Sequence, residues 1–495
     1  MIDVNNKNLT LAITKIGDLL LTKSKDGKAI ENVNLTIPPY QRPYKWTAKN
    51  AIQLLEDIIE AKNANKEVYR VGTLILHKND KGDQITYDIV DGQQRTITFA
   101  LLLNVLGEEN IAFLNQKLAD NPFNRKNIPN NRNAFLRRIG INKDKIDKEN
   151  YERKQERESI KAYIENQCEL VVVITEDVSE AFQFFDSQNA RGKSLYPHDL
   201  LKAYHLREMG GIDEVETEKT VKDWESNEQK ALASLFGDYL YRIKEWICGN
   251  RAQKLDESNI YKFKGVTKNE RTPYAQFYKG AFAYADMVNT SAMPFVSGSR
   301  KLNAFQLDTP IVAGKPFFDY TRHYFSILKD IQNNNKYEGF YINDNKIVKT
   351  LDKYYKKGTG NNITRLLFDT SILLYVDRFC PESYPDQNVL EMFDRFVVYA
   401  FIWAYSLRAQ YDKLGWLSTQ NYILGQSDKV NSFNLYKIIS QSDIPANLLS
   451  SLADKIRQIE NVSAKTDNID LYDEDGIFIN YLHYFKDNNF YIETK

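Results

Sequence analysis

Cysteine is scarce: Cys168, Cys248 and Cys380 stand far apart and odd in number. This excludes a disulfide framework and any cysteine-built zinc site, and predicts reduced thiols held in a core. No apolar run is long enough to span a bilayer, and the first residues, Met1 to Lys7, lack the basic region and apolar stretch of a signal peptide. The expectation is a cytoplasmic protein with no membrane partner. Neither sign of charge is in excess, with 66 Lys plus Arg against 66 Asp plus Glu, so a nucleic-acid binder held by net charge is excluded. No GxSxG or Walker-type lysine loop stands out. The 495 residues are too many for one core, and roughly two or three domains are expected.

The most informative segment that is present runs from Asp88 through Asp91, Gly92, Gln93, Gln94 and Arg95 to Thr96. Upstream, Ile85, Tyr87, Ile89 and Val90 predict a strand; downstream, the apolar run from Ile97 to Leu103 predicts a helix. A turn at such a junction suits an anion. Asp91 can cap the new helix, Gly92 can take a conformation closed to other residues, and Arg95 can bring a permanently charged fork to an oxyanion within about one helical turn. Free amides at the helix terminus add to the same field. The plainer alternative is a capped helix whose Arg95 pairs with Asp88 or Asp91.

A second segment has the same character: Ile37, Pro38, Pro39, Tyr40, Gln41, Arg42, Pro43, Tyr44, Lys45 and Trp46. Its prolines stiffen the loop and lower the entropy cost of holding Gln41 and Arg42 in place, while Tyr40, Tyr44 and Trp46 offer flat faces for a core or a base. Here the alternative is a Pro-stiffened turn that docks Trp46 into a core. Two exposed Arg-amide clusters on stiff turns converge at low cost on one polyanion, so both are expected to line a single cleft.

These two segments, with Val71 to Leu76 and Phe185 to Leu195, resemble the DUF262 family, the amino-terminal half of the GmrSD-type modification-dependent restriction enzymes and a branch of the ParB/sulfiredoxin-like superfamily. The resemblance covers residues about 30 to 206 and every motif position is intact. It implies an α+β architecture: a ParB/sulfiredoxin-like amino-terminal domain, residues 1–210, followed by a mainly α-helical region, 211–495. It also implies nucleotide binding and hydrolysis at Asp91, Gly92, Gln93, Gln94 and Arg95, with Tyr40, Gln41, Arg42, Tyr44 and Trp46 lining the same site. A further family segment maps onto Asn189, Arg191, Gly192, Leu195, Asp199 and Leu200.

Restriction enzymes of this type carry, or pair with, a DUF1524-class nuclease domain whose HNH-like centre needs clustered histidines. The five histidines, at 77, 198, 205, 323 and 483, lie in no HxxP or His-Asn-His arrangement, so a partner HNH nuclease is one expectation. The preferred reading is an NTP-dependent restriction or defence protein acting on foreign, modified DNA, the preferred nucleotide being undetermined. Arg95 and Arg42 would meet the phosphates, Gln93 or Gln94 would orient water, and Asp91, with Asp88 as a second ligand, would hold Mg2+ or another divalent cation. Two alternatives stay open: a metal-dependent DNA-nicking module using Asp88, Asp91 and Arg95, and a non-catalytic specificity subunit. A homo-oligomer also stays open.

The remaining pattern sets the organisation. Leu9 to Leu20 reads as a short helical or lead-in segment, Val33 to Ile37 as a strand and Ala48 to Glu60 as a helix. Tyr69 to Leu76 and Gln84 to Val90 flank Asp80, Lys81, Gly82 and Asp83 as a hairpin. Cys168 to Thr175 is too continuously apolar for an edge strand. Between Arg125 and Lys161 twelve basic residues face six acidic ones, either a phosphate-tracking patch or a solvated linker with a charged helix. Beyond about residue 210 long aromatic-rich amphipathic stretches predict helices. The acidic run Asp467 to Gly476 lacks the alternation of a calcium loop and reads as a turn.

Overall fold

The computed structural model describes residues 9–21, 34–38, 41–79, 85–115, 122–140, 151–176, 180–181, 184, 196–209, 214–291, 302–333, 358–380, 386–409, 411, 413–427 and 431–463. Contacts divide the chain into two compact units: residues 1–195 with 209–226, and residues 196–208 with 227–495. The architecture is α+β in the first unit and largely helical in the second.

The first unit is built on a mixed sheet. Its strands are β1 (Leu9–Lys15), β2 (Leu35–Thr36), β3 (Tyr69–Asn79), β4 (Thr86–Asp91) and β5 (Cys168–Thr175), in spatial order β1-β5-β3-β4-β2. β5 lies between an antiparallel β1 and a parallel β3, which explains its unbroken apolar run. β3 and β4 form the antiparallel hairpin expected from sequence; its turn, Asp80 to Asp83, lies outside the described residues. The lead-in at Leu9 is not helical throughout. Its first half is the edge strand β1, because Leu9 to Lys15 has the rows of β5 to pair with, and only Ile16–Leu21 forms a helix, α1.

Helices α2 (Ala48–Asn63), α3 (Gln93–Val105), α4 (Pro122–Ile139) and α5 (Tyr151–Gln167) belong to this unit. The core that they share with the sheet includes Leu55, Ile58, Leu74, Leu76, Ile89, Phe99, Leu102, Phe135, Ile164 and Val172. α3 is buried on nearly every side, so it carries no amphipathic stripe and its first turn is anchored as firmly as a core strand. The described parts of the basic stretch are helical, in α4 and α5, and residues 141–150 between them lie outside the described residues. Arg138 pairs with Glu56 at 2.5 Å and Lys161 with Glu108 at 2.5 Å.

In the second unit α6 (Pro197–Glu208) comes first, whereas α7 (Glu214–Glu225) belongs to the first unit. Then follow α8 (Gln229–Ser234), a π-helical turn Leu235–Leu240, α9 (Tyr241–Ile247), α10 (Pro273–Thr290), α11 (Lys315–Asn333), α12 (Thr359–Phe379), α13 (Gln387–Ala409), α14 (Trp416–Ile423), α15 (Leu435–Gln441) and α16 (Pro445–Ser463). Most of the aromatics are core, as their polar tips show. Trp246 donates to Gln420 at 3.1 Å and the Tyr436 hydroxyl meets Thr370 at 2.7 Å. Cys168 is buried, but Cys248 is exposed, a correction to the reading of all three as core thiols. No helix among the described residues is long and apolar enough to cross a membrane.

Two buried ionisable groups give the second unit opposite responses to acid. His205 accepts the Gly314 N–H at 3.2 Å and faces the Phe263 carbonyl at 3.0 Å, and burial pushes its imidazolium down to about 3. Its stabilising contribution is complete above the ordinary histidine range and is lost as pH falls toward 3. Asp377 takes the Tyr324 hydroxyl at 2.5 Å and the Leu307 N–H at 2.9 Å, yet burial outweighs both and pushes its carboxyl up to about 6. Its contribution is therefore complete below about pH 4 and is lost as pH rises through 6. In Asp377→Asn only the second dependence disappears. Urea unfolding from pH 4 to 7 should show wild type losing its advantage over the variant as pH rises, by up to about 3 kcal/mol; a constant difference would contradict the assignment.

Candidate functional site

The site grows from a defect in the hairpin. On β4 one extra residue, Val90, interrupts the pairing, so that Leu76 stands opposite Ile89 but Ile75 opposite Asp91. Simple alternation would put Asp88 and Asp91 on opposite faces. The bulge returns Asp91 to the side of Ile75, His77 and Asp88. It also leaves backbone carbonyls out of the ladder, and Gln41 answers this: its Nε2 donates to Ile89 O at 2.8 Å and to Val90 O at 2.7 Å.

β4 ends at Asp91 while β3 runs on toward Tyr69, so one edge of β3 loses its partner strand. Gly92, at φ 97°, turns the chain into α3. One turn later Arg95 reaches back to the open edge, donating from Nη2 to Thr73 O at 2.7 Å and from Nη1 to Val71 O at 3.1 Å. Space for it comes from Gly72, at φ 131°, where a Cβ would sit 1.8 Å from Arg95 Nη1. Asp91 lies 3.7 Å from Arg95 Nη2. Asp91 therefore pairs with Arg95 and does not cap α3. The N-cap is Gly92, without a side chain to give, which leaves the first-turn amides of α3 uncapped by any side chain.

The aromatic loop is fastened to the same turn. Gln94, buried, accepts the Lys45 N–H at 2.8 Å and the Trp46 N–H at 3.1 Å and donates to Pro43 O at 3.1 Å. Gln93 is buried beside it, its Oε1 3.4 Å from Gln94 Nε2. Tyr44 is fully buried, with its hydroxyl bonded to Thr98 at 2.7 Å and Asn131 at 2.8 Å, so its ring belongs to the core and offers no face to a ligand. Trp46 is half-buried against that core. Lys45 pairs with Glu225 of α7 at 2.5 Å. Arg42 is exposed and, among the described residues, makes no ion pair or side-chain hydrogen bond. Its neighbours Gln41 and Pro43 are both bonded to the Asp88–Arg95 segment. Tyr40, Asn189, Arg191, Gly192, Leu195 and the acidic run 467–476 lie outside the described residues.

Asp88 is enclosed by donors: Thr36 Oγ1 on one oxygen, Asn79 Nδ2 on the other at 3.3 Å, and His77 Nδ1 at 3.7 Å. Burial raises its carboxyl, but those hydrogen bonds and the His77 charge outweigh burial and hold it below the ordinary range. Among the described residues no cluster of three or more His, Cys, Asp or Glu could hold a metal by itself.

Sequence reading missed the asparagines of α4. Asn124 accepts the Tyr44 N–H at 2.7 Å, Asn127 donates to Tyr44 O at 2.9 Å, and Asn131 donates to Trp46 O at 2.8 Å. Their spacing, i, i+3 and i+7, is one helix face. That repeat of a single polar type was the available signal, and Gly72 had none.

Two substitutions test this assembly. Gln94→Ala removes three bonds to the loop and one to Gln93, leaves two loop amides without an acceptor, and should lower unfolding stability by about 2–4 kcal/mol. Gly72→Ala drives a methyl into the Arg95 guanidinium. Chemical denaturation of Gly72→Ala, Arg95→Ala and the double variant should give a non-additive cycle in which Gly72→Ala costs less once Arg95 is gone, with a coupling of about 1 kcal/mol or more. Additive costs would mean that Arg95 does not occupy that space.

Two family models match the chain, one on each side of residues 207–215. Residues 16–206 match the GmrSD restriction endonuclease, N-terminal domain family, and residues 216–468 match the family of unknown function DUF7834. No curated protein matches the chain. The amino-terminal match supports a restriction or defence role in general. The chain belongs to the DUF7834 family, and carries ahead of that region a domain of the GmrSD restriction endonuclease N-terminal family.

Proposed function

We propose that the first unit binds a nucleoside triphosphate where the two loops interlock, hydrolyses it, and uses the nucleotide state to control restriction of foreign, modified DNA. One observation carries the reading: Arg42 is held between two residues fastened to the Gly92 turn, yet its own guanidinium has no partner among the described residues. A positioned, unspent fork beside a helix start with uncapped amides suits phosphate oxygens.

The roles divide by what each side chain has left to give. Arg42 and the first-turn amides of α3 take the phosphates. Gln94 is committed to the loop and to Gln93 Oε1, so Gln93 Nε2 is the amide group left to donate to a water or a phosphate oxygen. Arg95 holds the floor of the site and lends it positive potential. Mg2+ is usually held by one or two carboxylates together with phosphate oxygens; Asp91 fits that pattern, whereas both oxygens of Asp88 are engaged by Thr36 and Asn79. The ion would neutralise charge developing on the transferred phosphoryl group. Cutting of DNA is assigned to a partner HNH nuclease.

The test is phosphate release by the full chain with Mg2+ and each NTP in turn. Arg42→Ala should reduce turnover about tenfold or more, the worth of a charge-assisted contact, with an unchanged melting temperature because it holds no internal bond. Arg95→Ala should lose both activity and stability. Full activity in Arg42→Ala would remove the assignment, and relaxation of supercoiled plasmid by the chain with Mg2+ but no nucleotide would replace it with direct nicking.

A further inference from the structure

The second unit contains a cavity of about 250 Å³ between α10 and the segment 302–312, closed by Tyr320 of α11. Phe277, Tyr278 and Phe282 of α10 line it together with Phe305. Among the described residues no Lys, Arg, His, Asp or Glu lines it. An ionic ligand would lose its hydration there with nothing in exchange. The volume lies just below the range of roughly 300–1,000 Å³ typical of sites for drug-sized ligands, which favours one ring system over a peptide or a large cofactor.

The wall is rigid although it has no regular structure. At its far end Val266 donates to Ile311 O at 2.8 Å and Ala313 to Val266 O at 2.9 Å. In the middle the half-buried Lys244 donates to Leu307 O at 2.8 Å and Thr309 O at 3.3 Å, and Asp377 accepts the Leu307 N–H at 2.9 Å. At its start Asn289 of α10 bonds Leu302 N and O, each at 2.9 Å, and ties the two walls together. Burying the Asp377 carboxyl is costly, and it and Lys244 are both spent on holding this segment still.

Two carboxamides on that wall remain available. Gln306 makes no side-chain hydrogen bond among the described residues, and Asn303 uses only its Oδ1, on the Phe305 N–H at 3.0 Å, leaving Nδ2 to donate. Phe277 is 70% exposed despite its size. Flat apolar walls, free amide edges, no charge and room for one ring system fit an uncharged planar heterocycle with hydrogen-bonding edges.

We propose that this cavity receives an unpaired nucleobase, stacked on the aromatic side chains of α10 with its edge met by Asn303 and Gln306. The inference is independent of nucleotide hydrolysis in the first unit. The base can arrive on a DNA strand or as a free nucleoside.

The full chain, titrated into a single-stranded oligonucleotide carrying one 2-aminopurine, should quench its fluorescence saturably. Phe277→Ala should weaken binding about tenfold, the worth of one base–aromatic stack. Gln306→Ala should weaken it several-fold and change the ranking of bases in otherwise identical strands. Both side chains are exposed, and an unchanged melting temperature confirms folding. Displacement by free nucleosides would identify a nucleoside ligand, and resistance to them a base presented by a strand; both agree with the proposal. Equal affinity of wild type and both variants, or no saturable binding of strand or nucleoside, would overturn it.

Discussion

Backbone groups that lose their strand partners must find others, and that constraint organises the first unit. The extra residue at Val90 and the early end of β4 expose carbonyls on two adjacent strands within a few residues of each other. Water could satisfy them only by entering the packed end of the sheet. Gln41 and Arg95 supply the donors instead, one from each side, and each brings its own loop with it. The aromatic loop and the Gly92 turn are neighbours because both are tied to the same frayed end.

This accounts for motif residues that would otherwise all be assigned to a ligand. Gln41, Gln94 and Arg95 are fasteners; Tyr44 and the α4 asparagines are their support; Gln93 is buried beside Gln94, and Arg42 is exposed and, among the described residues, makes no ion pair or side-chain hydrogen bond. Engagement thus changes within a single position, from Gln41 to Arg42. A motif can be uniformly polar while its side chains are unequally engaged. The second unit uses polar groups in a similar way, Lys244 and Asp377 fixing an irregular segment that has no ladder of its own.

Much of this was legible in the sequence. Period-two runs marked β3 and β4, the unbroken run marked β5 as interior, and the long amphipathic stretches marked α10 to α13. That the two loops belong together also followed, although for a shared anion, whereas direct hydrogen bonds between them suffice. The bulge was not legible, since nothing in Ile89-Val90-Asp91 distinguishes an extra residue from a regular one, and with it went the true facing of Asp91. β1 was not separated from the helical or lead-in segment that follows it, because Leu11 and Ile13, both exposed on an edge, mask its alternation. α14 and α15 are too short for a period to emerge, and only tertiary contacts hold them.

The fastening by Gln94 bears on kinetics. A loop bonded at Pro43, Lys45 and Trp46 to a single buried amide, and at Tyr44 to α4, opens only by breaking several bonds together. It behaves as a fixed wall and not as a gate. A ligand at that junction would arrive and leave without waiting for a loop to open, and discrimination would come from fit to a standing surface, with no closing motion to reject the wrong molecule.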